Sequence, residues 1–154
     1  MKRKYEEING DLFEYALKGK FDVICQGNNC FNTQNAGIAV RFKEEFETNN
    51  FELEQSGKGD YNKLGQIDYE EFEGDSFDGI LAVVNCYTQF NPGPDGNYAA
   101  LTLCLSKINY IFKGRHIGLP QIGCGIAGLD WNEVKEIIKE ELVDCDVTVV
   151  IFKQ

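Results

Sequence analysis

The run Gly79–Cys86, Gly-Ile-Leu-Ala-Val-Val-Asn-Cys, is the most restrictive feature of this sequence. Its length suits a strand, and its nearly unbroken apolarity means that both faces must be covered. A strand covered on both faces needs a layer above and a layer below. The rest of the chain supplies them. Runs at Lys4–Ile8, Phe21–Cys25, Gln66–Phe72, His116–Gln121 and Val147–Phe152 predict further strands. Ile38, Phe42 and Phe46, spaced by four, predict a helix over Gly37–Phe46. Tyr98–Phe112 and Trp131–Leu142 predict two more helices, and Glu47–Lys63 a polar stretch of helix and loop. Turns are expected at Asn9-Gly10, at Gly27-Asn28-Asn29, where the second strand should stop, and at Gly74-Asp75-Ser76. Strands alternating with helices predict an α/β layered fold with a parallel or mixed sheet, residues 1–154 forming a single domain.

Charge narrows the function. Against 15 Lys+Arg stand 25 Asp+Glu, a net charge of −10, and nucleic-acid binding draws its affinity from cations that neutralise phosphates. No nucleic-acid partner is expected. A small anion remains possible, because backbone N–H groups hold anions without positive side chains. No stretch approaches the roughly 18 apolar residues of a membrane span, and the basic start Met1–Glu7 has no apolar region behind it. A cytoplasmic monomer with no membrane partner is the expectation. Six cysteines and one histidine without any CxxC pair predict reduced thiols, no metal site and no cofactor.

Ligands of α/β sheets sit where strands end and loops enter helices. Three such loops are unusual. Gln26–Ala39 is rich in Asn and Gln, including Asn28, Asn29 and Asn35, and ends in Ala36-Gly37-Ile38-Ala39 at a helix mouth. Amides both donate and accept, which suits sugar hydroxyls, and a helix N-terminus suits phosphate. Gly123-Cys124-Gly125-Ile126-Ala127-Gly128 fits G-x-G-x-x-G. It follows the penultimate strand, whereas a dinucleotide fingerprint belongs in the first strand–helix unit, so a phosphate-cradling loop of another α/β fold is preferred. Asn85–Gly93 mixes aromatic rings with Asn, Thr and Gln, a composition equally suited to core or ligand. Cys124 sits among N–H groups that lower a thiol pKa, yet no base accompanies it. His116 is expected at a surface or edge, Trp131 in the core, and Asp130 as a helix N-cap.

Taken together, the loops resemble those of the macrodomains, ADP-ribose-binding α/β modules. Gly10-Asp11-Leu12 resembles the motif whose aspartate accepts from the adenine amino group. Ala36-Gly37-Ile38-Ala39 resembles the loop around the distal ribose and diphosphate. Leu119-Pro120-Gln121-Ile122-Gly123-Cys124-Gly125-Ile126 resembles the phosphate loop, and the Trp131 helix follows it in order. The match spans nearly the whole chain and is closest to a compact branch that includes ADP-ribose 1″-phosphate phosphatase, terminal ADP-ribose protein glycohydrolase and phage and bacterial members. The resemblance implies a three-layer fold whose mixed sheet of about six strands is flanked by helices. It also implies a metal-independent hydrolase that removes the 1″-phosphate from ADP-ribose 1″-phosphate. Its alternatives are a non-catalytic ADP-ribose module and a mono-ADP-ribosyl glycohydrolase or deacylase.

Carried residue by residue, it gives Asn28, Asn29 and Asn35 the task of orienting the distal ribose and a water. Ligand contacts fall to Asp11, Leu12, Gln26, Ala36, Gly37, Ile38, Ala39, Tyr87, Thr88, Gln89, Phe90, Pro120, Gly123, Cys124, Gly125, Ile126, Ala127, Gly128 and Phe152. The chain departs from the branch at three places. Ala127 stands where the glycohydrolases carry an aspartate, Asn85–Tyr87 holds no lysine, and Gln26 replaces the histidine of the phosphatase.

Overall fold

The computed structural model describes residues 3–51, 58–73 and 79–152. Six strands form one sheet: β1 (Tyr5–Asn9), β2 (Val23–Asn29), β3 (Ile67–Glu73), β4 (Ile80–Gln89), β5 (His116–Leu119) and β6 (Asp146–Ile151). Their spatial order is β1-β6-β5-β2-β4-β3. Neighbours run parallel except β3, which pairs antiparallel with β4 at one edge. Helices α1 (Leu12–Leu17) and α2 (Ile38–Phe46) contribute to one apolar cluster, and α3 (Tyr98–Ile111) and α4 (Trp131–Glu141) to the other. The α/β three-layer expectation is met.

The pleat explains the apolar run. Along β4, Leu81 and Val83 join Phe13, Ile24 and Phe42 on the α1/α2 side. The intervening Ala82, Val84 and Cys86 join Leu101, Leu105 and Ile138 on the α3/α4 side. Alternate side chains point to opposite faces, so the stretch of the strand with two buried apolar faces, Leu81–Val84, is apolar at every position.

Several expectations need correction. Gly27-Asn28-Asn29 does not end β2: these residues pair with Cys86, Tyr87 and Gln89, and the register shifts between Asn28 and Asn29. The partner strand runs on to Gln89, so the turn-forming composition is overridden by pairing. Gly27 is required there by close approach, since a Cβ would stand 2.9 Å from Thr88 Oγ1. Helix α1 went unpredicted. It is too short for periodicity to show, and it is set instead by Asp11, whose side chain caps Phe13 N and Glu14 N. Within Glu47–Lys63 the described residues form two 3₁₀ turns, Thr48–Asn50 and Tyr61–Lys63, rather than an α-helix. The turn at Gly74-Asp75-Ser76 lies outside the described residues.

His116 is not at an edge, because β5 lies between β6 and β2. The Thr148 hydroxyl donates to Glu6 Oε1 at 3.0 Å, so His116 Nε2, 2.7 Å from Thr148 Oγ1, is the donor in that pair. Asp130 holds the N-cap position of α4 without a capping side-chain bond. Trp131 packs, partly buried, against the α3/α4 core. None of the six cysteines is in a disulfide. Among the described residues no helix is long and apolar enough to cross a membrane, and no group of His, Cys, Asp or Glu is arranged to hold a metal ion.

Candidate functional site

The C-terminal ends of the five parallel strands open into one cleft of about 700 Å³. That volume is in the range that encloses a nucleotide-sized ligand. Asp11 and Leu12 line it after β1, Asn28 and Asn29 at the end of β2, and Thr88 and Gln89 at the end of β4. Pro120–Ala127 line it after β5, Val150 near the end of β6, and Phe152 just after it. Asn35–Ala39 form the remaining wall at the mouth of α2.

Gly37 makes that mouth. Its φ of +61° and ψ of −144° put the N-cap in a conformation that suits glycine, and no side chain caps α2. The N–H groups of Ile38 and Ala39, in the first turn, therefore have no intrahelical acceptor. A Cβ on Gly37 or on Gly125 would meet nothing within 4 Å. Two backbone segments of the cleft wall thus border open space, one of them at the end of a helix whose dipole favours an anion.

The polar side chains divide into spent and unspent. Asn29 shapes its own loop: Phe31 N donates to its Oδ1 at 3.0 Å, and its Nδ2 donates to Thr33 Oγ1 at 2.9 Å. Gln34 has a positive φ of 46°. It is held by a bond from its Nε2 to Asn32 Oδ1 and by bonds that its Oε1 accepts from Thr48 Oγ1 and Gln26 Nε2. Asn28 is different. It is 4% exposed, and neither its Oδ1 nor its Nδ2 has a partner. Thr88 Oγ1, also buried, is likewise unpartnered. Burying an amide unsatisfied costs about 1–3 kcal/mol, a cost that a ligand or water in the cleft would remove.

Two ionisable groups are tuned. Burial pushes the Asp11 carboxyl up, but the hydrogen bonds from Arg41 and from the N–H groups of Glu14 and Phe13 outweigh it and hold it below its ordinary value. The Cys124 thiol is pushed up to about 11, by burial first and by the charge of Asp130 second. It is a neutral thiol at neutral pH, contrary to the lowering expected from its loop.

No family model matches the chain. It is 30% identical to the uncharacterized 17.5 kDa protein in the tk-vs intergenic region of Enterobacteria phage T4, over 93% of each chain. It is 24% identical to the ADP-ribose 1″-phosphate phosphatase of Candida albicans, over 86% of this chain and 90% of that one. Its structure matches the macrodomain of Mycobacterium tuberculosis DarG with a TM-score of 0.74, at 20% identity, over 96% and 97% of the two chains. The chain belongs with the phage protein and has the macrodomain fold.

Most of the residues singled out in the sequence stand on the cleft wall of this macrodomain fold, and four do not. Gln26 is fully buried beneath the wall, where its Nε2 donates to Asn85 Oδ1 at 2.9 Å and to Thr48 Oγ1 at 3.2 Å. Tyr87 is also buried, and its hydroxyl donates to Asp68 Oδ2 at 2.8 Å. The Phe90 ring stacks on Tyr61 at 4.3 Å, outside the cleft. Gly128 closes the end of its loop by donating from N–H to Gly125 O at 3.1 Å. In each case, local packing or hydrogen bonding has taken the residue away from the cleft. Arg41, in contrast, lines the cleft and was missed. The available signal was its position three residues after Ile38, which places both on one face of the helix.

Proposed function

We propose that this macrodomain binds ADP-ribose in the cleft and removes the 1″-phosphate from ADP-ribose 1″-phosphate, giving ADP-ribose and inorganic phosphate. The observation that carries the reading is the unpartnered Asn28 amide, buried in a cleft whose wall includes the uncapped mouth of α2. In this pose Asp11 accepts from the adenine amine. The diphosphate lies between the N–H groups of Gly37–Ala39 and those of Gly123–Ala127, and the distal ribose reaches Asn28. In the order β1-β6-β5-β2 the ends of β1 and β2 are three strand spacings apart, about 14 Å, a span that one extended nucleotide sugar covers. The likeness to the Candida phosphatase over most of both chains supports the choice of substrate.

Hydrolysis here rests on positioning and on N–H groups that stabilise charge on the departing phosphate. Phosphate release from ADP-ribose 1″-phosphate, with ADP-ribose as the co-product, is the expected result. Tight ADP-ribose binding without phosphate release would favour the second reading, a binding module. That reading draws on Asn29 being spent within its loop and Cys124 being a neutral thiol. Release of ADP-ribose from a modified protein would instead identify a glycohydrolase.

A further inference from the structure

Arg41 stands on the cleft wall with most of its donors unspent. One guanidinium nitrogen, Nη1, donates to Asp11 Oδ2. The guanidinium carbon lies 4.3 Å from the Phe13 ring centroid, and the side chain is 41% exposed. The remaining N–H groups of the planar fork have no protein acceptor among the described residues.

Asp11 has room for one more bond. An ionised carboxylate offers about four lone-pair sites. Oδ1 accepts from Phe13 N at 2.8 Å and Glu14 N at 3.3 Å, and Oδ2 accepts from Arg41. A site therefore remains on Oδ2, beside the guanidinium. Both groups are fixed, Asp11 by the first turn of α1 and Arg41 by the Phe13 ring. This end of the cleft thus presents an acceptor next to a donor. That is the arrangement through which an Asn or Gln amide reads the amine of adenine together with a neighbouring ring nitrogen.

We propose that Arg41 is a specificity-determining residue: Asp11 Oδ2 accepts from the 6-amino group of adenine while Arg41 donates to an adjacent ring nitrogen. The inference rests on the ADP-ribose reading and adds to it the residue that selects the base. A 6-oxopurine replaces the 6-amino donor by a carbonyl acceptor, whichever ring nitrogen is read beside it, and so sets its carbonyl against the carboxylate.

The test is calorimetry with ADP-ribose, its hypoxanthine analogue, and its 1-deaza- and 7-deaza-adenine analogues. It uses wild type, Arg41→Met and Arg41→Lys, with melting temperatures to check folding. In wild type, the hypoxanthine analogue and one deaza analogue are expected to bind roughly tenfold or more weakly than ADP-ribose. Arg41→Met should lose about the same factor for ADP-ribose and show no further loss with that deaza analogue, and Arg41→Lys should recover part of it. A merely structural role would weaken all four ligands alike. Both deaza analogues binding wild type as tightly as ADP-ribose would overturn the inference alone, as would a deaza penalty that persists in Arg41→Met. Failure of ADP-ribose to bind wild type would overturn the proposed function and this inference with it.

Discussion

Asn28 carries a tension between stability and function. Its buried amide has no partner in the protein, so a leucine, which keeps the branching at Cγ without the polar atoms, removes an unsatisfied group. Asn28→Leu is expected to raise stability by about 1–2 kcal/mol, measured by denaturant unfolding, while lowering ADP-ribose affinity at least several-fold. Asp11 behaves differently. Its carboxyl is held below the ordinary value of 3.8, so it contributes stability that is present above that pH and is lost as pH falls through the lower folded value. Asp11→Asn should therefore be less stable than wild type at pH 7, and the gap should close in acid below the carboxylate range. Gly125→Val tests the open space beside the phosphate loop. Its Cβ would meet nothing within 4 Å, so an unchanged melting temperature with loss of ADP-ribose binding is the expected pair of results.

Elements were legible in proportion to how much apolar pattern they carried. β4 showed itself through its unbroken run, and α2 through Ile38, Phe42 and Phe46. Helix α1 has six residues, fewer than two turns, and depends on its cap and on Phe13 packing against Phe42 at 4.8 Å. The far end of β2 was obscured because Gly-Asn-Asn is turn-forming in isolation, and only pairing with β4 keeps it extended. The loops announced the site by composition. Which of their side chains face the cleft was not legible, because it depends on the pleat and on hydrogen bonds such as those of Gln26 and Tyr87. The close approach of β2 to β4 gives an element-scale prediction. In Gly27→Ala, the new methyl meets Thr88 Oγ1 at 2.9 Å and Ile122 Cγ1 at 3.3 Å. Overpacking of this kind costs about 1–3 kcal/mol, read as a lowered denaturation midpoint.

On the scale of the whole molecule, the chain has a net charge of −10 and the ligand proposed for it is an anion. Long-range electrostatics opposes that encounter, and the attraction comes from peptide N–H groups at close range. Salt screens the first far more than the second. ADP-ribose affinity should accordingly stay level or rise between low and high ionic strength, and a steep fall in calorimetric affinity would show that side-chain cations dominate capture. The register shift between Asn28 and Asn29 separates two regimes within one strand. Well before it, over Val23–Cys25, alternation is dictated by two buried layers, and a substitution there must answer to the core. Beyond it, the ladder has already slipped, a device that re-aims side chains near functional sites. Variation past that point can retune what the mouth of the sheet recognises while the strands behind it keep their partners, which gives the scaffold a place to change its ligand without refolding.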